Sequence, residues 1–305
     1  MTVEAGTLNR LGLCKIALMA PARNNASVAA LAEFSTLVSR TIEDERIDLA
    51  RAALAIARTE YPQLKTDQYL GRLQALAQRV RARLAPNPTP PETIVELNAV
   101  LFREERFRGN VEDYYDPRNS FLNEVLDRKL GIPITLALVY EEVARRIGLP
   151  LFGVGMPGHF LLKHYDVDGR QVILDPFHGG ALLTLQECQQ RLDQVYSGQM
   201  QLQSEFLSSV SQRRWLTRML NNLKTIYLSS RNFRKALVMA DLILAIYPRS
   251  PEDVKQRAAL RYNLGQMRNA LLDFEDYLKM LPEASDADDI RAVILSIRRN
   301  LASRN

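Results

Sequence analysis

Met156-Pro157-Gly158-His159-Phe160-Leu161-Leu162, followed sixteen residues after the histidine by Asp175-Pro176-Phe177, is the stretch on which the fold turns. Residues 151–156, 159–165 and 170–174 carry the apolar, strand-favouring patterns of short strands, and Asp166-Val167-Asp168-Gly169 is the turn between the last two. Turn length decides the chemistry. A two-residue Asp168-Gly169 turn places His159 and Asp175 on opposite faces. A three-residue loop with Gly169 in the left-handed position pairs Asp166 with Arg170 and puts His159 opposite Phe177, diagonal to Asp175 on the same face. Both registers fit the sequence, and the second is favoured because an aspartate beside the histidine would orient its imidazole.

Outward from this hairpin the pattern is helical. Ile47, Ala50, Leu54 and Ala57 recur at helix spacing before Tyr61-Pro62, and Leu70, Leu73, Leu76, Ala77 and Val80 mark a second helix over about 67–84. Pro86-Asn87-Pro88-Thr89-Pro90-Pro91 resembles a linker in composition. The short apolar helix after it, about 92–105, must pack close by, so the segment is read as a surface loop inside one domain. A further short helix is expected over 119–129. The best-defined helix opens at Pro133, carries Leu136, Val139, Tyr140, Val143 and Ile147 on one face, and closes at Gly148. Its other face sets Glu141 and Glu142 four residues before Arg145 and Arg146. Thr184-Leu185-Gln186-Glu187 is a capping box opening a helix with Cys188 on its apolar face. His164 alternates to the strand face opposite His159 and is expected to be exposed.

The C-terminal third repeats. Ala236 and Ala270, and Pro248 and Pro282, are each 34 positions apart, with Ala240 matching Phe274 and Ile243 matching Tyr277. A helix-turn-helix at this period with small residues mid-helix is the tetratricopeptide pattern. Lys224 stands where a small residue is expected. Two units are few, so the repeats should dock on preceding helices, including one over 214–229.

Forty basic against 35 acidic residues give a net charge of +5, too mild and dispersed for a nucleic-acid surface. Runs such as Arg79-Val80-Arg81-Ala82-Arg83 read as solvated helix faces. No apolar stretch reaches the roughly 20 residues of a membrane span. Residues 11–20 are apolar but broken by Lys15, and 1–38 is read as a loosely ordered or peripheral segment. Two cysteines, Cys14 and Cys188, without metal-ligand spacing fit a reducing cytoplasm. The composition and pattern thus give an α+β, helix-rich protein with a small antiparallel sheet, organised as 1–38, 39–200 and an all-α 201–305.

Asn119-Ser120-Phe121-Leu122, Gly131-Ile132-Pro133-Ile134-Thr135-Leu136, Pro157-Gly158-His159-Phe160 and Asp175-Pro176-Phe177, in this order, resemble the bacterial family named for the invasion regulator SirB. The resemblance implies a transglutaminase-like core, related to papain-type proteases, followed by tetratricopeptide repeats, and it runs from about Ile47 to Pro282. In catalytic members of that superfamily a nucleophilic cysteine opens the helix that here begins near Pro133. The window 131–136 has no cysteine, and Thr135 is its only hydroxyl. A helix N-terminus acidifies a thiol, but an alcohol stays protonated and needs a general base.

Thr135 is therefore expected to bond its own backbone first and to act as nucleophile only second. His159 and Asp175 are expected as a buried pair or, in the alternative, as general base and orienter. Asn119, Pro133, Gly158, Phe160, Phe177 and His178 are the expected ligand cleft. His178 with His159 and Asp175 is a weak metal signal, and no metal or cofactor is expected. The function expected first is a catalytically degenerate module that binds a protein or peptide through its repeats. The alternative is a hydrolase or acyltransferase acting on an amide or ester.

Overall fold

The computed structural model describes residues 25–39, 42–166 and 168–303. They fall into two compact units, one within Arg40–Met219 and one within Met1–Ser39 and Leu220–Asn305. The first described helix, α1 (Asn25–Leu37), belongs to the second unit and buries Ala30 and Phe34. The expected leader over 11–20, with Cys14, lies outside the described residues.

In the first unit, α2 (Leu49–Ala57) starts at Asp48, whose carboxylate accepts Arg51 N–H at 2.9 Å. Its alanines, all buried, let neighbouring backbones approach. Helix α3 (Thr66–Arg81) buries Leu73, Leu76, Ala77 and Val80. The proline-rich segment is a helix start: Thr89 and Glu92 form a reciprocal capping box, and Pro90 and Pro91 occupy the first turn of α4 (Pro90–Asn98). That helix runs on into a π-helical turn, Ala99–Glu104. Helix α5 (Leu122–Arg128) precedes the central α6 (Pro133–Ile147), which packs against α3 and α5 and closes at Gly148 with φ +91°.

The face of α6 that carries the paired charges is buried at its two acids. Glu142 is fully buried, accepts Ala50 N–H at 3.1 Å, and pairs with Arg145 and Arg146. Glu141 is buried beside it. With α2 on one side and α3 on another, α6 has neighbours nearly all round, and Glu142 is satisfied by protein groups while Glu141 leaves one carboxylate oxygen without a partner.

Strands Arg108–Gly109 (β1) and Leu130–Gly131 (β2) form a minimal parallel pair. The main sheet runs in the order β3 (Phe152–Val154), β4 (Leu161–Tyr165), β5 (Gln171–Asp175), β6 (Ala181–Leu183), all antiparallel. Neither the parallel pair nor β6 is marked by a sequence pattern, because two- and three-residue strands are too short to show a period. Tyr165 pairs with Gln171, Asp166 N–H bonds Arg170 O at 3.0 Å, and Gly169 has φ +76°. The turn is thus the three-residue loop, its Val167 lying outside the described residues.

His164 is buried, against expectation. Strand β4 is internal to the sheet and covered on both faces, so alternation does not lead to water; His164 Nδ1 donates to Pro150 O at 3.0 Å. Lys163 is buried too, its Nζ donating to Leu207 O at 2.8 Å. Helix α7 (Leu185–Tyr196) opens with the Thr184–Glu187 capping box and buries Cys188, as read.

The helical region comprises α8 (Gln212–Ser229), α9 (Phe233–Ile246), α10 (Pro251–Asn263), α11 (Met267–Met280) and α12 (Ala287–Ala302). Both bounds of α9 and α11 differ by 34 residues (267−233 and 280−246), so the sequence period is the period of the structure. Ala236, Ala240 and Ile243 are buried, as are their counterparts Ala270, Phe274 and Tyr277. Lys224 keeps its charge inside this packing by bonding Gln256 Oε1 at 2.7 Å and facing Asp253 at 3.6 Å. The α+β, helix-rich class with a small antiparallel sheet followed by repeat helices is what the protein adopts.

Candidate functional site

The β4–β5 ladder aligns Leu162 with Leu174, and one step further β5 delivers Asp175 beneath the segment that carries His159. Asp175 is fully buried and receives four donors. Oδ1 accepts His159 Nε2 at 3.0 Å and Phe177 N–H at 3.1 Å; Oδ2 accepts His178 Nδ1 at 2.6 Å and Arg191 Nε at 3.2 Å. Burial alone would push this carboxyl up, but the hydrogen bonds from His159 and His178 outweigh it and hold Asp175 well below the usual carboxylate range. One ionised carboxylate therefore orients two imidazoles.

The two rings differ in what they leave free. His159 spends Nε2 on Asp175, keeps Nδ1, and is buried. His178 spends Nδ1 and keeps Nε2 on a side chain 41% exposed. Their ring centroids are 5.8 Å apart. His178 rides on the 3₁₀ turn Pro176–His178, which ends in Gly179 and Gly180 at φ +72° and +74°. A Cβ on Gly180 would sit 2.0 Å from Asn98 Oδ1. Asn98, at the end of α4, donates to Gly180 O at 3.0 Å and accepts Tyr140 O–H at 3.0 Å. The far side of the turn is thus also held, by a neutral hydrogen bond.

Thr135 sits on the first turn of α6, fully buried. Its Oγ1 accepts Ile132 N–H at 3.2 Å and lies 2.7 Å from Asn119 O and 3.1 Å from Ile132 O, to which its single hydrogen can donate. Every polar neighbour it has is backbone. The polar partner of His159's ring is Asp175.

Of the six expected cleft positions, Asn119, Pro133 and Phe160 are buried, while Gly158, Phe177 and His178 offer surface. Asn119 uses its side-chain amide on Asn110, Asp113 O and Tyr114 O and so locks the 110–120 loop. That loop presents Tyr114 and Tyr115, which continue the aromatic run from Phe177. His159, Asp175 and His178 could each offer one ligand atom to a metal, all within 4.8 Å of one another. A dication bound through the ring nitrogens that face Asp175 would displace the 3.0 and 2.6 Å hydrogen bonds and share the carboxylate with the Arg191 guanidinium. The donor set fits a hydrogen-bonded triad better than a metal. Arg191, Asn98 and the Tyr114 loop carried no local sequence signal, since each reaches the site from a separate element.

A helix whose start faces a hairpin bearing histidine and aspartate is the transglutaminase-like arrangement, and the transglutaminase-like superfamily matches residues 67–221, with a tetratricopeptide repeat family over 223–294. The protein is similar to a UPF0162 protein of Xylella fastidiosa, 35% identical over 84% of this chain and 92% of that one. It is similar also to a UPF0162 protein of Vibrio cholerae, 25% identical over 82% and 92%. Human F-box only protein 21 is 31% identical over 55% of this chain and 28% of its own length. This chain belongs to the bacterial UPF0162 family, the SirB-like group with a transglutaminase-like core and tetratricopeptide repeats. No solved structure matches it.

Proposed function

We propose that this protein is a peptide- or protein-binding module on a transglutaminase-like scaffold that has no side-chain nucleophile at the start of α6. The observation that carries the reading is Thr135: its hydroxyl is buried and committed to Ile132 N–H and to backbone carbonyls, so it is a helix-start cap. The helical repeats support the binding half. They hold a cavity of about 420 Å³ lined by Glu252, Lys255, Gln256, Phe274, Asp286 and Ile290, a polar rim over an apolar floor of the kind that seats a side chain.

The test sets wild type beside Thr135→Val and His159→Ala in amidase, protease and acyl-transfer assays and in binding to an immobilised peptide library. Binding without turnover is expected, with binding weakened by Lys255→Glu. Turnover that disappears in Thr135→Val, while the variant still melts cooperatively, overturns the reading.

A second reading rests on His178. Its Nδ1 is fixed on an ionised aspartate and its Nε2 is free on a partly exposed ring, the orientation a general base needs to take a proton from water attacking an amide or ester. The two readings separate cleanly. Under the second, His178→Gln abolishes turnover and Thr135→Val leaves it intact.

A further inference from the structure

Arg218, on α8, lies behind the His159 segment. Its Nη2 donates to Met156 O at 2.8 Å and His159 O at 2.6 Å, using both hydrogens of that nitrogen, and the guanidinium carbon is 5.5 Å from the Phe160 ring centre. Nε and Nη1, with three hydrogens between them, have no acceptor among the described residues, yet neither is sealed from water. No aspartate or glutamate among the described residues pairs with Arg218. Several half-buried arginines do have one: Arg191 has Asp175, Arg213 has Asp44, Arg146 has Glu142, and Arg257 and Arg261 have Asp273. Burial disfavours the charge on Arg218, and the groups that oppose this electrostatically are the hydroxyls of Tyr114 and Tyr196. A half-buried cation without a counter-ion is costly, and two carbonyl dipoles offset only part of that cost.

The same place is lined by aromatic rings. Tyr115, 74% exposed, meets Tyr114 edge-on at 5.3 Å; Tyr114 meets Phe177 at 6.3 Å; Phe177 meets His159 at 6.0 Å. A path of π-faces leads from the surface to the histidine.

We infer that Arg218 is the specificity-determining residue of the His159/His178 site and recognises a carboxylate of a bound peptide, on an acidic residue or at the peptide's C-terminus, while the aromatic run packs the adjoining apolar part. The inference rests on the binding reading above only in placing a ligand there. The carboxylate oxygen accepts Nε–H or Nη1–H and supplies the missing counter-charge. One negative charge balances one cation. A dianionic phosphate would bring a surplus charge toward the ionised Asp175.

Trp215 is the single tryptophan; it is buried, and its ring centroid is 4.5 Å from that of Phe160. The test titrates the protein at constant ionic strength with acetyl-Tyr-Glu-amide, acetyl-Tyr-Gln-amide and inorganic phosphate, following Trp215 fluorescence and the imidazole resonances of the three histidines. The expected result is a saturable response to the glutamate peptide that moves His159 and His178 and leaves His164 in place. The glutamine peptide should bind about tenfold more weakly, the worth of one charge-assisted hydrogen bond. Arg218→Gln should erase that preference, and Arg218→Lys should keep part of it. Equal affinity for both peptides overturns the assignment, as does a response to phosphate alone or no saturable response to any probe. So does a preference that persists in an Arg218→Gln protein melting as wild type does. Hydrolysis of either peptide that depends on His178 would sink the binding-only reading, while the glutamate-to-glutamine ratio still decides for or against Arg218.

Discussion

Each unit buries an aspartate under several cationic partners, Asp273 in one and Asp175 in the other, and the two clusters are chemically opposite. In the helical repeats Asp273 accepts Arg257 and Arg261 at 2.7 Å each, with Asp241 nearby at 3.5 and 3.7 Å from the same guanidinia. In the hairpin unit Asp175 accepts two histidines and one arginine. Arginine stays charged at any accessible pH, so the repeat cluster is a fixed brace between α10 and α11. Histidine titrates and also has a second nitrogen to offer. A fixed brace and a cluster that leaves ring nitrogens free are thus made from the same carboxylate by a change of partner.

That contrast can be broken most forcefully at the aspartates. Asp175→Ala leaves His159, His178 and Arg191 facing a void and should destabilise by about 3–5 kcal/mol in urea unfolding. Asp273→Ala should cost less, about 2 kcal/mol, because Asp241 remains to receive the arginines. Equal losses would show that the histidine cluster is held by packing and not by charge.

The acid limb of stability sharpens the contrast. Asp175 has its carboxyl depressed in the folded protein, so the unfolded state takes up the proton first as pH falls. Its contribution is complete above the ordinary carboxylate range, near pH 4, and is lost as pH drops through and below it. Urea midpoints measured from pH 6 down to 2 should fall more steeply for wild type than for Asp175→Asn.

Glu141 gives the opposite sign. Burial, then repulsion from Glu142, pushes its carboxyl up to about 8, and its Oε2 has no partner. The folded state holds a proton that the unfolded state releases near pH 4.5, so this residue's effect is increasingly unfavourable from there to about pH 8. Glu141→Gln should gain on the order of 1 kcal/mol at pH 8 and nothing at pH 4. A loss at pH 8 would mean that the carboxylate is held charged by Arg145, 3.9 Å away.

The smallest expected effect is at Thr135. Thr135→Val leaves Ile132 N–H without its acceptor and should cost about 1 kcal/mol, while Thr135→Ser should cost less. Ligand binding should be unchanged by either.

The two regions also differ in how far the sequence discloses them. The repeat is a local code: a 34-residue period survives any tertiary detail, because each unit packs mainly on its neighbours. The hairpin is legible as two strands and a glycine turn, but not in its register, since two turn lengths fit Asp168-Gly169. Gly169 at φ +76° suits either turn, and the Asp166–Arg170 pairing is what brings His159 to Asp175. What escapes is non-local. His164 alternates correctly along β4, yet its burial depends on what covers the second face of the sheet. Glu142 is legible in sequence only as the i,i+4 partner of Arg146, but the Ala50 N–H of α2, some ninety residues earlier, also donates to it. Arg218 is one basic residue among forty until the fold denies it an acid.

The Asn98 amide has a consequence for how a ligand would be met. It grips Gly180 from one side while Asp175 grips His178 from the other, and Tyr140 holds Asn98 in turn. The imidazole therefore has little rotational freedom to surrender when something arrives. A mobile histidine would forfeit up to about 1 kcal/mol of ordering entropy at that step. Here the ordering is complete at folding, and the hydrogen atom of Gly180, where any side chain would collide with Asn98, is what allows the turn to close that tightly.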